Sequence, residues 1–208
     1  MLNSQSLSFS YDSMQKLSFP DIKLGDGDSL LVLGESGVGK TTLIHILAGL
    51  LIPESGSVEM NGVKFQDLSL RELDQFRGNQ IGMVFQRPYF VRSLSIFDNL
   101  ALSLHLSKKK YDKDHIDILL NQVGLSNKSH KKPDYLSQGE QQRAAIALAV
   151  VKKPGLILAD EPTSSLDDKN CQKIVKIIKD QSSLVNSKLV IITHDQRLKN
   201  EFKKSITL

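Results

Sequence analysis

Apolar positions along this chain change period several times, and each change marks an element. Residues 2–11 and 17–24 alternate, with Leu7, Phe9 and Tyr11 in the first stretch and Leu17, Phe19, Ile22 and Leu24 in the second. That pattern predicts two antiparallel strands, each half-buried. Gly25-Asp26-Gly27-Asp28 then turns the chain into the unbroken run Leu30-Leu31-Val32-Leu33, which reads as a parallel strand covered on both faces. Helical spacing follows over 42–48. Pro53-Glu54-Ser55-Gly56 predicts a turn, 57–60 a short strand, and Asn61-Gly62 a hairpin. Ser69-Leu70-Arg71-Glu72 has the form of a capping box and starts a helix through Phe76, and Ile81-Gly82-Met83-Val84-Phe85 is a second buried strand ending at Gln86.

From 87 to 135 the strand signals stop. Arg87-Pro88 breaks the chain, and two helical patterns follow, over 96–106 and 112–123, separated by Lys-rich loops. This reads as an all-helical insertion in an α/β core made of 1–86 and 136–208. Leu136-Ser137-Gln138-Gly139-Glu140 opens the next segment and leads into a helix over 141–151; Ser137 and Glu140 satisfy a second capping box. A buried strand over 156–159 runs into Asp160 and Glu161. A polar turn at 163–167 enters an amphipathic helix over 168–182, and a final strong strand over 188–193 ends on His194-Asp195.

Composition limits the class without naming it. A chain of 208 residues with 40% hydrophobic and 24% charged residues suits one globular α/β domain and is neither disordered nor membrane-like. The longest apolar stretch, 144–151, is far too short to span a bilayer, and the first residues lack the pattern of a signal peptide, so a cytoplasmic chain is expected. Cys171 shares its helical face with Ile174, Val175 and Ile178 and reads as packing. A net charge of +4 is modest; the clusters at Lys108-Lys109-Lys110 and within 128–132 read as a solvated face, and no nucleic-acid partner is expected.

The candidate chemistry begins at Gly34-Glu35-Ser36-Gly37-Val38-Gly39-Lys40-Thr41, which fits the phosphate-binding pattern G-x-x-x-x-G-K-[ST] between a strand and a helix. The glycines let backbone N–H groups curl toward an anion, and the helix offers its positive N-terminal end. Lys40 would reach the β- and γ-phosphates, while Thr41 would ligate Mg²⁺. Asp160 at a strand end suits outer-shell Mg²⁺ coordination, and Glu161, one residue on, is placed to polarise a water. Gln86 and His194 fall at the same carboxyl edge, where ligands bind in open α/β sheets. Tyr11 is a candidate for stacking on a base, although its spacing fits a packed strand residue almost as well.

In order and spacing, these motifs resemble the nucleotide-binding subunit of ATP-binding-cassette (ABC) proteins, from about Phe9 to Asp195. The resemblance identifies 34–41, with Thr42, as the phosphate loop, Gln86 as the Gln loop, 136–140 as the family signature, 156–160 as the acidic strand, and Ser164-Ser165-Leu166-Asp167 as the loop before the switch His194. It implies a P-loop NTPase core with a mostly parallel sheet, an N-terminal antiparallel β part and a helical insertion. It also implies ATP and Mg²⁺ as ligands and a head-to-tail dimer in which Ser137, Gln138 and Gly139 of one copy face the nucleotide of the other. Glu161 would be the base, His194 would hold the γ-phosphate and water, and Gln86 would sense Mg²⁺ and the attacking water. Gln138 and Glu140 depart from the commonest signature, placing a negative charge near an anion.

The run Arg71-Glu72-Leu73-Asp74-Gln75-Phe76-Arg77 into 81–86 resembles the subgroup serving lipoprotein release and macrolide or peptide efflux. That resemblance implies an integral membrane permease docking on about 87–135, at the cytoplasmic face of the membrane. An ABC ATPase acting as a mechanical regulator, of the cell-division type, is the alternative. A small-molecule kinase leaves 136–140 unexplained, and a GTPase would need an Asn-Lys-x-Asp motif that this chain lacks.

Overall fold

A computed structural model describes residues 1–11, 16–164 and 166–208, and the architecture below is that of the described residues. The chain opens with β1 (Leu2–Ser10), β2 (Lys16–Ser18) and β3 (Ile22–Leu24), then β4 (Ser29–Leu33) and helix α1 (Lys40–Leu47). The hairpin β5 (Ser55–Met60) and β6 (Val63–Lys64) leads to α2 (Leu70–Gln80) and β7 (Ile81–Val84). Helices α3 (Ile96–Leu106), α4 (Lys113–Gln122) and α5 (Gln138–Val150) come next. The chain closes with β8 (Leu156–Asp160), α6 (Asp168–Leu184), β9 (Lys188–Thr193) and β10 (Lys204–Thr207).

Two sheets result. One is parallel, in the order β10-β4-β9-β8-β7; the other is antiparallel, in the order β2-β1-β5-β6 with β3 also on β1. The alternation within the parallel strands explains how both faces are covered. Leu31, Leu33, Ile157, Ala159, Leu189 and Ile191 face a core shared with α3 to α6. Leu30, Val32, Leu156, Leu158, Val190 and Ile192 face a second core shared with α1 and the antiparallel sheet. A side chain such as Ile191, fully buried, contributes roughly 1.5–3 kcal/mol by leaving water. Helix α1 is therefore held between two sheets, and its N-terminus is fixed by packing at the carboxyl edge of β4.

Several expectations need correction. The stretch 17–24 is not one strand: it breaks around Pro20, which has no N–H for a ladder, and β2 and β3 pair with opposite ends of β1. Ser55 and Gly56 belong to β5 rather than to the turn before it. Helix α2 runs to Gln80, four residues beyond the expected end at Phe76, and α5 begins at Gln138 rather than 141. β10, with one half-buried apolar residue, Ile206, has no readable strand pattern; it forms because β4 offers an open edge, where Leu208 N–H also donates to Leu33 O at 2.8 Å.

Candidate nucleotide site

β4 delivers the chain to Gly34, and the loop that follows turns on two glycines in the left-handed region, Gly37 at φ 89° and Gly39 at φ 97°. A Cβ on Gly39 would lie 3.0 Å from Leu17 and 3.3 Å from Phe19, so a side chain there would press on both while taking a conformation that favours glycine. Gly39 is also the N-cap of α1 and supplies no capping side chain, which leaves the N–H groups of the first turn for a ligand. Val38 packs over Gly34: its Cγ2 sits 2.9 Å from where a Gly34 Cβ would be. Lys40 is buried and folds back into the loop, donating to Gly34 O at 2.8 Å and Glu35 O at 2.7 Å.

A cleft of about 360 Å³ opens here, lined by Ser36, Gly37, Gly39 and residues 40–42, with Gln86, Glu161 and His194 opposite. Tyr11 is 69% exposed; its hydroxyl is hydrogen-bonded to Thr42 Oγ1 at 3.0 Å, and its ring meets Phe9 edge-on. An exposed aromatic tied to the phosphate-loop helix suits contact with a base.

The acidic side is built by β8 and β9. Asp160 ends β8 and accepts a hydrogen bond from Thr41 Oγ1 at 3.2 Å; burial pushes its carboxyl above the ordinary range. Glu161 then takes φ 48°, a conformation costing a non-glycine residue about 1–2 kcal/mol. Its N–H donates to Ile192 O at 2.8 Å. This turn carries the carboxylate back over the end of β9. Oε1 accepts from the His194 backbone at 3.1 Å and is 2.8 Å from His194 Nδ1, Oε2 accepts from Thr193 Oγ1 at 2.9 Å, and Lys40 Nζ lies 3.8 Å away. Gln86 Nε2 donates to Ser164 Oγ at 3.1 Å, joining the end of the β7 segment to the loop after β8. Ser165 of that loop lies outside the described residues.

Ser137, Gln138 and Gly139 are not brought to this cleft. Ser137 caps α5: its N–H donates to Glu140 Oε2 at 2.9 Å and its Oγ accepts from Glu140 N–H at 3.4 Å. Ser137 and Gln138 are exposed, and Gly139 O accepts weakly from Arg143 at 3.4 Å. The capping-box bond to the Ser137 N–H, with help from Lys128 at 3.2 Å, holds the Glu140 carboxyl below its usual range.

Two participants were not readable in the sequence. Thr193, fully buried, bonds Glu161 from 32 residues away, and Asp195 gathers Arg197 at 2.7 Å and Thr163 at 3.4 Å. A threonine ending a buried strand carries no distinguishing signal, because its partner is defined only once β8 and β9 are adjacent.

The ABC transporter family model matches residues 17–164 of this chain. The chain belongs to that family. This ABC subunit is 35% identical to the lipoprotein-releasing system ATP-binding protein LolD of Legionella pneumophila (strain Lens), over 100% of the chain and 94% of the relative. It is 38% identical to the LolD of Buchnera aphidicola subsp. Acyrthosiphon pisum (strain APS), over 91% of the chain and 83% of the relative. Among solved structures, a dimeric post-hydrolysis state of the ATP-binding cassette MJ0796 bound to ADP and Pi matches with a TM-score of 0.88 and 28% identity, covering 100% of this chain and 94% of that one. The ABC subunit is accordingly an ATP-binding protein and an ATP hydrolase of the transporter type.

Proposed function

We propose that Lys40, Glu161 and His194 perform ATP hydrolysis in a site completed by residues 137–139 of a second copy, and that closure of this dimer drives a membrane permease. The observation that carries the reading is the separation within one chain: the phosphate loop, Glu161 and His194 share a cleft, while the capped start of α5 stands outside it, exposed. The N-terminus of α5 supplies the Ser137 hydroxyl and the positive end of a helix, a set that suits a γ-phosphate presented by another copy.

In this reading the β- and γ-phosphates replace the Gly34 and Glu35 carbonyls as partners of Lys40 Nζ. A water attacks the γ-phosphorus in line with the bond to the β–γ bridging oxygen; Glu161 takes the water proton, His194 holds water and phosphate in register, and ADP departs with the bridging oxygen. The donor set also fits Mg²⁺. Thr41 and Asp160 already meet, and a cation beside the partly desolvated Asp160 carboxylate would offset its burial. A hydroxyl and a carboxylate beside a phosphate loop suit Mg²⁺ that takes its remaining ligands from substrate phosphates and water. Mg²⁺ held by Thr41 and Asp160 would neutralise phosphate charge, and Gln86, bonded to Ser164, is placed to sense it.

The helical segment 87–135 is the docking unit for the permease, a role supported by a groove of about 520 Å³ between it and α5, lined in part by Tyr89, Phe90, Leu106 and Leu148. In this reading the subunit works from the cytoplasmic face through that partner; no helix among the described residues is long and apolar enough to cross a membrane. The relatives named for lipoprotein release support a permease of that subgroup.

The test is the solution mass of Glu161→Gln by light scattering, with and without Mg-ATP. A dimer that forms only with Mg-ATP, and is lost when Ser137→Arg is added, is the expected result. A Glu161→Gln protein that still turns over ATP at the wild-type rate would remove Glu161 from its role.

A further inference from the structure

We propose that Thr193 is a positioning residue for hydrolysis: its hydroxyl holds Oε2 of the Glu161 carboxylate and so turns Oε1 toward His194. The inference rests on the role given to Glu161 above and goes beyond it, because it assigns the group that aims that carboxylate.

Thr193 Oγ1 accepts the Asp195 backbone N–H at 3.0 Å and, with its single proton, donates to Glu161 Oε2 at 2.9 Å. The side chain is completely buried, so no water competes for either bond. Among the described residues Thr193 is the one donor to Oε2; the His194 backbone and ring both address Oε1. Glu161 is itself only 13% exposed at the side chain. Without the hydroxyl, its far oxygen would lose its partner in a poorly solvated place, and only the contacts on Oε1 would restrain rotation of the carboxylate about its last torsion.

The position in the chain strengthens the assignment. Thr193 is the last residue of β9 and pairs in register with Leu33, the residue before the phosphate loop. Its backbone is thereby held to the same sheet edge that carries Gly34 and Lys40. Thr193 thus ties the direction of the Glu161 carboxylate to the element that holds the phosphates. The Asp195 N–H bond extends the same constraint past His194, whose ring swings from a backbone anchored on both sides.

The experiment compares steady-state ATPase kinetics and nucleotide affinity of Thr193→Val, Thr193→Ser and Glu161→Gln. Valine keeps shape and β-branching but loses the hydroxyl; serine keeps the hydroxyl. The expected result for Thr193→Val is a kcat about 10–100-fold lower, the scale of a misaimed catalytic group. KM and the Kd for a fluorescent ATP analogue should stay within about 3-fold of wild type, and Thr193→Ser should recover kcat to within about 3-fold. If Thr193→Val does not fold, Thr193→Ala against Thr193→Ser makes the same comparison. Full-rate turnover by Thr193→Val beside an inactive Glu161→Gln overturns this inference alone. Serine as slow as valine, or a fall in affinity matching the fall in kcat, overturns it as well. Full-rate turnover by Glu161→Gln overturns both this inference and the reading it rests on.

Discussion

Thr41 and Asp160 meet across the carboxyl edge of the parallel sheet, the hydroxyl donating to the carboxylate at 3.2 Å over a separation of 119 residues. The contact joins the first turn of α1 to the end of β8 and brings together the two side chains proposed above to hold Mg²⁺. It also leaves Asp160 half-buried beside a second carboxylate, Glu161, and desolvation with that neighbour holds its carboxyl above the ordinary range.

Asp160→Asn should therefore stabilise the free protein while abolishing its response to Mg-ATP. The sign follows from linkage: folded Asp160 keeps its proton to a higher pH than in the unfolded chain, so its ionisation subtracts stability at any pH above the unfolded value. Thermal melting at pH 7.5 checks both halves. The variant should melt above the wild type without ligand, and the upward shift that Mg-ATP gives the wild type should be absent.

Glu140 is predicted to disturb the dimer less than its charge suggests. Its carboxylate is engaged by the Ser137 N–H and by Lys128 at 3.2 Å, so it points back along its own helix start. Glu140→Gln in the Glu161→Gln background should change the ATP concentration that half-saturates dimerisation by less than about 3-fold, while the weakened cap costs about 0.5–1 kcal/mol in denaturant unfolding. A tenfold tighter dimer would mean that the carboxylate does face the incoming phosphate.

Helix α5 rests on β7 through Gly82. A Cβ there would lie 2.3 Å from Ala149 O and 3.0 Å from its carbonyl carbon, backbone atoms that move only if the helix moves. Gly82→Ala should destabilise the fold by about 1–3 kcal/mol, the range for overpacking a close contact. Denaturant titration of Gly82→Ala against Gly78→Ala makes the comparison clean, because a Cβ on Gly78 meets nothing within 4 Å.

How much of this was legible depends on whether the signal was local. The apolar runs of β4, β8 and β9 announced a parallel sheet because both their faces are covered, and 34–41 announced the phosphate loop because each glycine answers a backbone demand at its own position. The capping box at Ser137 and Glu140 marked where α5 begins, yet the apolar half of the helix starts later and drew the expected boundary to 141. β10 was missed because its hydrogen bonds come from β4's open edge rather than from apolar side chains of its own. Thr193 was missed for a related reason: its meaning lies in a carboxylate 32 residues earlier that only the register of β8 on β9 brings within reach.

Lys152 supplies the last prediction. Its ammonium donates to Gly78 O and lines the groove between α3 and α5, where desolvation, with the positive charge of Arg77, lowers its pKa to about 8 from 10.5. Between those two values the unfolded chain binds the extra proton, so stability rises as pH is raised from about 8 to 10.5, by at most roughly 3 kcal/mol from this group. Lys152→Met keeps the stem's packing and removes the titration. The variant should therefore be more stable than the wild type at pH 7, with the difference shrinking steadily toward pH 10.5. Urea unfolding at pH 7, 8.5 and 10 measures this, and parallel profiles for the two proteins would show that Lys152 titrates as a solvated lysine.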